Sequence, residues 1–401
     1  MARAELRAGR AVRADAGRAA RAALWAVRQQ GGGEALKGRP ELYTSYAQDT
    51  AFLNTRPKRT WTGALLVVAL LMPFAVTDDL LMLLATGFVA AIGAIGLNIV
   101  TGYAGQVSLG HAFFLAIGAY TGAALSGDPD GRVLGFGVTS LPVWLLASGL
   151  VAGLAGLIVA PLAVRLRGLY LAIVTLGLVF LGEHIFREWT SLTGGPGVGR
   201  PAAVPELFGV RLDRASALFT GPQQLYLLMF VLLVIFAVLA RNLVRSRIGR
   251  AFAAVRDRDL AAAVIGVDLA RYKALAFAVS SFYAGVAGSL LFVVNGFFDP
   301  GSFGLLLSVQ YIAMVLIGGA GTISGAIMGA LFITLLPRIT RELPTVLPFI
   351  SADATGAVTV FQVEAVLYGL LIVVFLIVEP RGLFGIWVRV RNYWRTWPFS
   401  Y

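Results

Sequence analysis

Apolar residues run through the chain in long unbroken blocks, not in the alternation of a half-buried strand or the single stripe of a surface helix. Beyond residue 60 such runs occupy about 61–76, 80–100, 106–125, 142–164, 169–186, 223–240, 272–294, 305–318, 322–336 and 359–378. Blocks apolar on every side predict helices surrounded by other apolar matter. A helix needs about 20 residues to cross roughly 30 Å of hydrocarbon, and several runs are shorter. The pattern therefore predicts an all-α polytopic integral membrane protein of eight to ten transmembrane or broken helices.

Polar segments divide the chain. Residues 1–60 are rich in Ala and Arg and read as a basic arm, disordered or lying at the lipid interface, with no apolar core of signal-peptide length. The membrane domain spans 61–380 and is interrupted by a basic, helix-capable loop at 241–273, RNLVRSRIGRAFAAVRDRDLAAAVIGVDLARYK. A tail at 381–401 interleaves Trp387, Trp394 and Trp397 with Arg389, Arg391 and Arg395, the mixture that settles at headgroups. Six runs before the loop and four after it place both termini, Arg165, Arg167 and the loop on one side, which the positive-inside rule makes the cytoplasm. The Gly- and Pro-rich segment Arg187–Gln223, containing SLTGGPGVGRP, and Asn295–Phe303 then lie outside.

Composition agrees. Of 401 residues 58% are hydrophobic and 13% charged, and mean hydropathy is +0.80, whereas soluble domains carry roughly 25% charged residues. The net charge of +12 collects beside apolar runs, so it needs no nucleic acid. Cysteine is absent, which excludes disulfides and thiolate metal sites. The lysines are Lys37, Lys58 and Lys273, none preceded by Gly, so there is no phosphate-binding loop. No nucleophile elbow or HExxH motif occurs, and the histidines, His111 and His184, form no pair. The chain reads as a transport subunit without an ATPase site, without enzymatic chemistry and without a cofactor or metal.

Two glycine-rich stretches interrupt the apolar runs: GLNIVTGYAGQVSLGHAFFLAIGAYTG (96–122) and GGAGTISGAIMG (318–329). Both contain Ala-Gly-x-x-Ser, as Ala104, Gly105, Ser108 and as Ala320, Gly321, Ser324. Irregular segments at matching places in two halves of a transporter point to a pathway at the repeat interface. Gly102, Gly105, Gly110, Gly318, Gly319 and Gly321 are the expected structural breaks, since small residues let backbones touch or helices interrupt. Asn98, Gln106, Ser108 and His111, with Ser324 in the second stretch, are the candidates for lining a substrate path, because polar groups at membrane depth face a bundle interior or cavity. Packing alone is the competing account of each. No Asp, Glu, Lys or Arg occurs at 80–127, 274–298 or 300–337, so an ion-coupled carrier has little to work with beyond Glu183 and Glu364.

The chain resembles the permease subunits of bacterial branched-chain amino-acid ABC importers, in their LivM-like branch. The matching stretches are 96–120, RGLYLAIVTLG (167–177), SLTGGPGV (191–198), 245–291, YIAMVLIGGAGTISGAIMGALF (311–332) and EPRGLFG (379–385). The resemblance implies a multi-pass protein of the bacterial inner or plasma membrane that translocates Leu, Ile, Val or similar small solutes by alternating access. It implies a LivH-like permease partner, two cytoplasmic ABC ATPases and a periplasmic or lipid-anchored solute-binding protein. It also implies that Asp257–Lys273 holds the helix coupled to the ATPase, with Arg256 and Arg258 facing acidic partners, Ala261 and Ala262 allowing close docking, and Gly266 ending the helix. Leu260 stands where the wider importer pattern has Glu. A same-family permease for urea or short amides is the alternative, and an ion-coupled carrier or channel stands further off.

Overall fold

The computed structural model describes residues 56–166, 168–202, 204–207, 210–211, 219–341, 360–379 and 381–396. The basic arm expected at 1–60 lies outside these except for its last five residues. Pro57–Val388 form one compact unit.

Every apolar run contains a helix. These are α1 (Arg56–Ala75), α2 (Asp78–Asn98), α3 (His111–Ser126), α4 (Leu141–Arg165), α5 (Leu169–Glu188) and α6 (Gly221–Arg245). The polar loop holds α7 (Arg247–Asp257) and α8 (Asp259–Val264), followed by α9 (Leu269–Asn295), α10 (Leu305–Gly318), α11 (Ile323–Arg341), α12 (Val360–Val378) and α13 (Gly382–Thr396). Local chemistry sets several starts. Thr77 precedes α2 with Asp78 and Asp79 in the first turn, where carboxylates meet the positive end of the helix dipole. Thr220 and Gln223 close a capping box on α6.

Among the described residues five helices are long and apolar enough to cross a membrane, whereas α3 and α10 are shorter. At about 1.5 Å per residue the 16 residues of α3 fall short of a roughly 30 Å core, so α3 begins at depth, after a break.

α9 is the axis of the bundle, packed against α4, α3 and α2. Its buried face includes Ser281, Ala284, Gly285, Gly288 and Ser289, small enough for backbones to touch. A Cβ on Gly118 would collide with the Gly285 carbonyl, and one on Gly288 with that of Leu115. Around this centre α4 presents Leu146, Leu150, Leu154 and Ile158, spaced four apart and 59–79% exposed, an outward apolar stripe suited to lipid.

The few strands are two residues long. β1 (Arg200–Pro201) pairs antiparallel with β4 (Phe297–Phe298), and β2 (Glu206–Leu207) with β3 (Val210–Arg211). The first pair joins the two segments expected to share a face, 187–223 and 295–303. A Cβ on Gly382 (φ +63°) would lie 2.5 Å from the Ile317 carbonyl, so the start of the expected tail is built into the compact unit.

Candidate functional site: two glycine breaks and the polar loop

The first break follows α2. The helix widens into a π turn at Ile99–Tyr103, the Gln106 backbone N–H donates to Val100 O at 2.9 Å, and irregular backbone runs to His111. Gly105 takes φ +69°, a left-handed conformation that side chains disfavour. The freed groups find partners: Leu109 N donates to Thr175 Oγ1 at 2.9 Å and Gly110 N to Ser108 Oγ at 3.3 Å. The second break separates α10 from α11. Gly319 has φ +119° and Gly321 φ +79°, and Thr322 Oγ1 donates to Gly319 O at 2.9 Å. Gly105 and Gly321, the matching residues of the Ala-Gly-x-x-Ser pair, thus adopt the same left-handed backbone.

Asn98 binds one break to the other. Its Oδ1 accepts from Gly321 N at 2.8 Å, and its Nδ2 donates to Thr322 O at 2.8 Å. The side chain is wholly buried, and a Cβ on Gly102 would collide with it. Asn98 satisfies two backbone groups that the break would otherwise strand in an apolar interior.

The polar loop reaches the same place. Arg256, near the end of α7, donates through Nη1 to Gly102 O at 3.0 Å and through Nε to Asp257 Oδ1 at 3.0 Å. A Cβ on Gly105 would lie 2.7 Å from Arg256 Cγ, and one on Gly321 3.2 Å from Nη1. One arginine therefore abuts both repeat glycines. Its guanidinium thus touches the first break and its own neighbour while the side chain stays 42% exposed.

Within Asp257–Lys273 lies the short α8. Arg258 is extended, with φ −156°, and separates α7 from the short α8. The end of α8 carries paired bonds from Gly266 N to Ala263 O and from Val267 N to Ala262 O around Gly266 at φ +91°, the glycine-terminated motif in which left-handed backbone closes a helix. Ala262 is buried and Ala261 exposed. On the outer face Leu260, Val264 and Ile265 are 70%, 87% and 76% exposed, a cluster too apolar for a loop left in water.

The remaining path candidates separate. Gln106 is buried with both amide atoms unpartnered, at the wall of a cavity of about 220 Å³ that is also lined by Arg256, Arg258, Asp259 and Lys273. His111 opens α3 with Nε2 buried and unpartnered, its ring 4.8 Å from that of Tyr311. Ser108 is buried and spent on Gly110, whereas Ser324 is exposed in the first turn of α11. Gly318 packs so tightly against Gly325 and Gly329 that a Cβ has no room.

At the other end of the bundle stands Arg200, which is not among the candidates that polarity at depth selects. It is 1% exposed and donates to the carbonyls of Leu192 (3.0 Å) and Ala123. Burial lowers its pKa from the ordinary value, and an arginine still stays charged. Its two bonds hold the loop 191–201 to the end of α3, and Gly197 N on Asp299 Oδ1 at 3.3 Å with the β1–β4 pair holds it to 295–303. The sequence does carry a signal for Arg200, since it is the lone charge between Glu188 and Glu206.

Apolar helices with a lipid-type face, broken twice at the centre and tied there to a polar loop, define an integral membrane permease. The chain belongs to the family described as branched-chain amino acid transport system, permease component, whose model matches residues 80–379. It is 32% identical over 306 residues to the high-affinity branched-chain amino acid transport system permease protein LivM of Salmonella typhimurium, covering 72% of this chain and 70% of that one. The LivH permease of the Escherichia coli system is 26% identical over 318 residues, 75% of this chain and 92% of that one. LsrC of Enterobacter, an autoinducer 2 import system permease, is 32% identical over 207 residues, half of this chain and 56% of that one. No solved structure matches.

Proposed function

We propose that this chain is a permease subunit of an ATP-driven importer of branched-chain amino acids, working by alternating access. The observation that carries the coupling is the exposed apolar cluster Leu260, Val264 and Ile265 on α8, joined within one loop to Arg256, whose side chain touches both breaks. An ATPase that grips α8 can thereby move the breaks. Apolar side chains exposed on a loop beyond the spans call for a protein partner, and the family supplies the kind: an ATPase on the cytoplasmic side, where both termini and residues 241–273 lie by charge.

At the opposite end, the joined loops around Gly194–Pro201 and Phe297–Phe303 are the docking surface for a solute-binding protein, fixed by Arg200 and the β1–β4 pair. A LivH-like permease completes the membrane part. Within the chain, Gln106 and His111 keep the path-lining role, since each holds buried polar atoms without a partner. Asn98 and Ser108 hold the break's backbone instead.

The test is ATP hydrolysis in a reconstituted complex with the binding protein and candidate solutes. Stimulation by leucine, isoleucine or valine that vanishes in Val264→Asp supports both cargo and coupling face. Stimulation by urea alone changes the cargo, and uptake independent of any ATPase removes the reading.

A further inference from the structure

Two adjoining cavities open at the end of the bundle that carries Asp79, the N-terminal end of α2. One, of about 560 Å³, is lined by Asp79, Thr86, Asn295 and Arg338. The second, of about 380 Å³, shares Leu83, Thr86, Asn295 and Pro337 with it and runs inward between α2, α9, α10 and α11. Each is within the range of small-molecule sites, about 300–1,000 Å³. The wide part holds one carboxylate and one guanidinium, both exposed. The inner part is walled by aliphatic side chains such as Leu291, Met314 and Ile333 together with the aromatic Phe298 and Phe303, and polar groups such as Gln310 and Thr334 stand among them.

The floor carries a second kind of signal. Tyr311 lines the inner cavity, is 1% exposed, and its hydroxyl has no hydrogen-bond partner. Behind it stands His111, 2% exposed, with Nε2 likewise unpartnered. Gly93 leaves room for this pair, since a Cβ there would lie 2.6 Å from Tyr311 Cε1. A buried hydroxyl left unpaired on a cavity-lining residue, with a second unpaired polar atom on the ring behind it, is the exception in folded proteins and calls for a polar occupant.

We propose that these joined cavities form a binding site, within this single chain, for a small zwitterion with an aliphatic side chain. The carboxylate is taken at Arg338 and the ammonium at Asp79, and the side chain enters the inner cavity over Tyr311. This rests on the amino-acid cargo of the proposed function and gives that cargo a place. His111 then serves as a polar step between the cavity floor and the first break, which begins where α2 ends.

Because the chain has no cysteine, single cysteines can report on occupancy. In the assembled transporter with its partner permease, ATPases and binding protein, Thr86→Cys and Gln310→Cys, both cavity-lining, are labelled by a charged methanethiosulfonate reagent with and without L-leucine, and label on this chain is read. Slowing by L-leucine of fivefold or more, absent at Leu150→Cys on the lipid stripe and absent with leucinol, which lacks the carboxylate, is the expected result. Leu83→Trp, filling the shared neck, should cut leucine uptake at least tenfold while ATPase stimulation by loaded binding protein stays within twofold. No protection at either cysteine, in complexes that still import leucine, overturns the proposal and places the path elsewhere. Wild-type complex without leucine-stimulated hydrolysis would instead sink the proposed function itself.

Discussion

Asn98 and Gly321 lie 223 residues apart and meet at 2.8 Å, carboxamide oxygen to backbone N–H, at the point where each half of the bundle loses its helix. The same carboxamide donates to Thr322 O, so one side chain at the end of α2 serves two backbone groups of the second break. The two breaks are therefore one unit.

Asn98→Ala leaves the Gly321 N–H and the Thr322 carbonyl without their partner, and a stranded buried polar group costs about 1–3 kcal/mol. The purified complex should melt several degrees lower and transport should be lost. Asn98→Asp is the sharper variant. It keeps an acceptor for Gly321 but sets a charged oxygen against Thr322 O, and should be worse than Ala in thermal unfolding; equal or milder loss would contradict the pin.

Glycines within the spans divide by what a methyl would meet. Gly118 faces the Gly285 backbone with no space, whereas at Gly177 on α5 nothing lies within 4 Å. Gly118→Ala should cost about 1–3 kcal/mol by overpacking, and Gly177→Ala should raise stability by about 0.5–1 kcal/mol through lost chain entropy. Thermal unfolding of the two variants side by side checks the opposite signs.

The architecture was legible because lipid demands long apolar blocks, and each of these became a helix. Gly105 and Gly321 could be matched from a five-residue pattern because both satisfy one backbone requirement. What the pattern could not carry was partnership across the chain. Asn98 reads as polar at depth, yet its bond to Gly321 depends on how α2 meets α11. Arg256 reads as a loop cation for a partner, and only the packing of α7 against the π turn brings its guanidinium to Gly102. Membership in the permease family was legible from 96–120 and 311–332, since those runs are the breaks themselves.

Arg200 is buried where it ties its loop to the end of α3. Arg200→Gln removes the bonds to Leu192 O and Ala123 O while leaving the helices untouched. Limited proteolysis should then cut within 194–202 at least several times faster, and stimulation of hydrolysis by loaded binding protein should fall while basal hydrolysis persists. Unchanged proteolysis would mean that the β1–β4 pair and the Gly197–Asp299 contact hold the loop without it.

The loop offers two substitutions that separate grip from transmission. Val264→Asp places a charge in the most exposed apolar residue of α8, where nothing in this chain depends on it, so the membrane fold should persist and co-purification with the ATPase should fail. Arg256→Ala leaves that face unchanged but removes the bond to Gly102 O. The ATPase should then remain bound and hydrolyse ATP at its basal rate, with stimulation by loaded binding protein reduced tenfold or more. Arg256→Lys should recover little, because an ammonium is a compact point charge that cannot reproduce the planar fork spanning Gly102 and Asp257. If Arg256→Ala instead loses the ATPase as Val264→Asp does, the arginine belongs to the docking surface after all, and movement must reach the breaks by another route, such as the contact of Arg381 and Gly382 with Gly319.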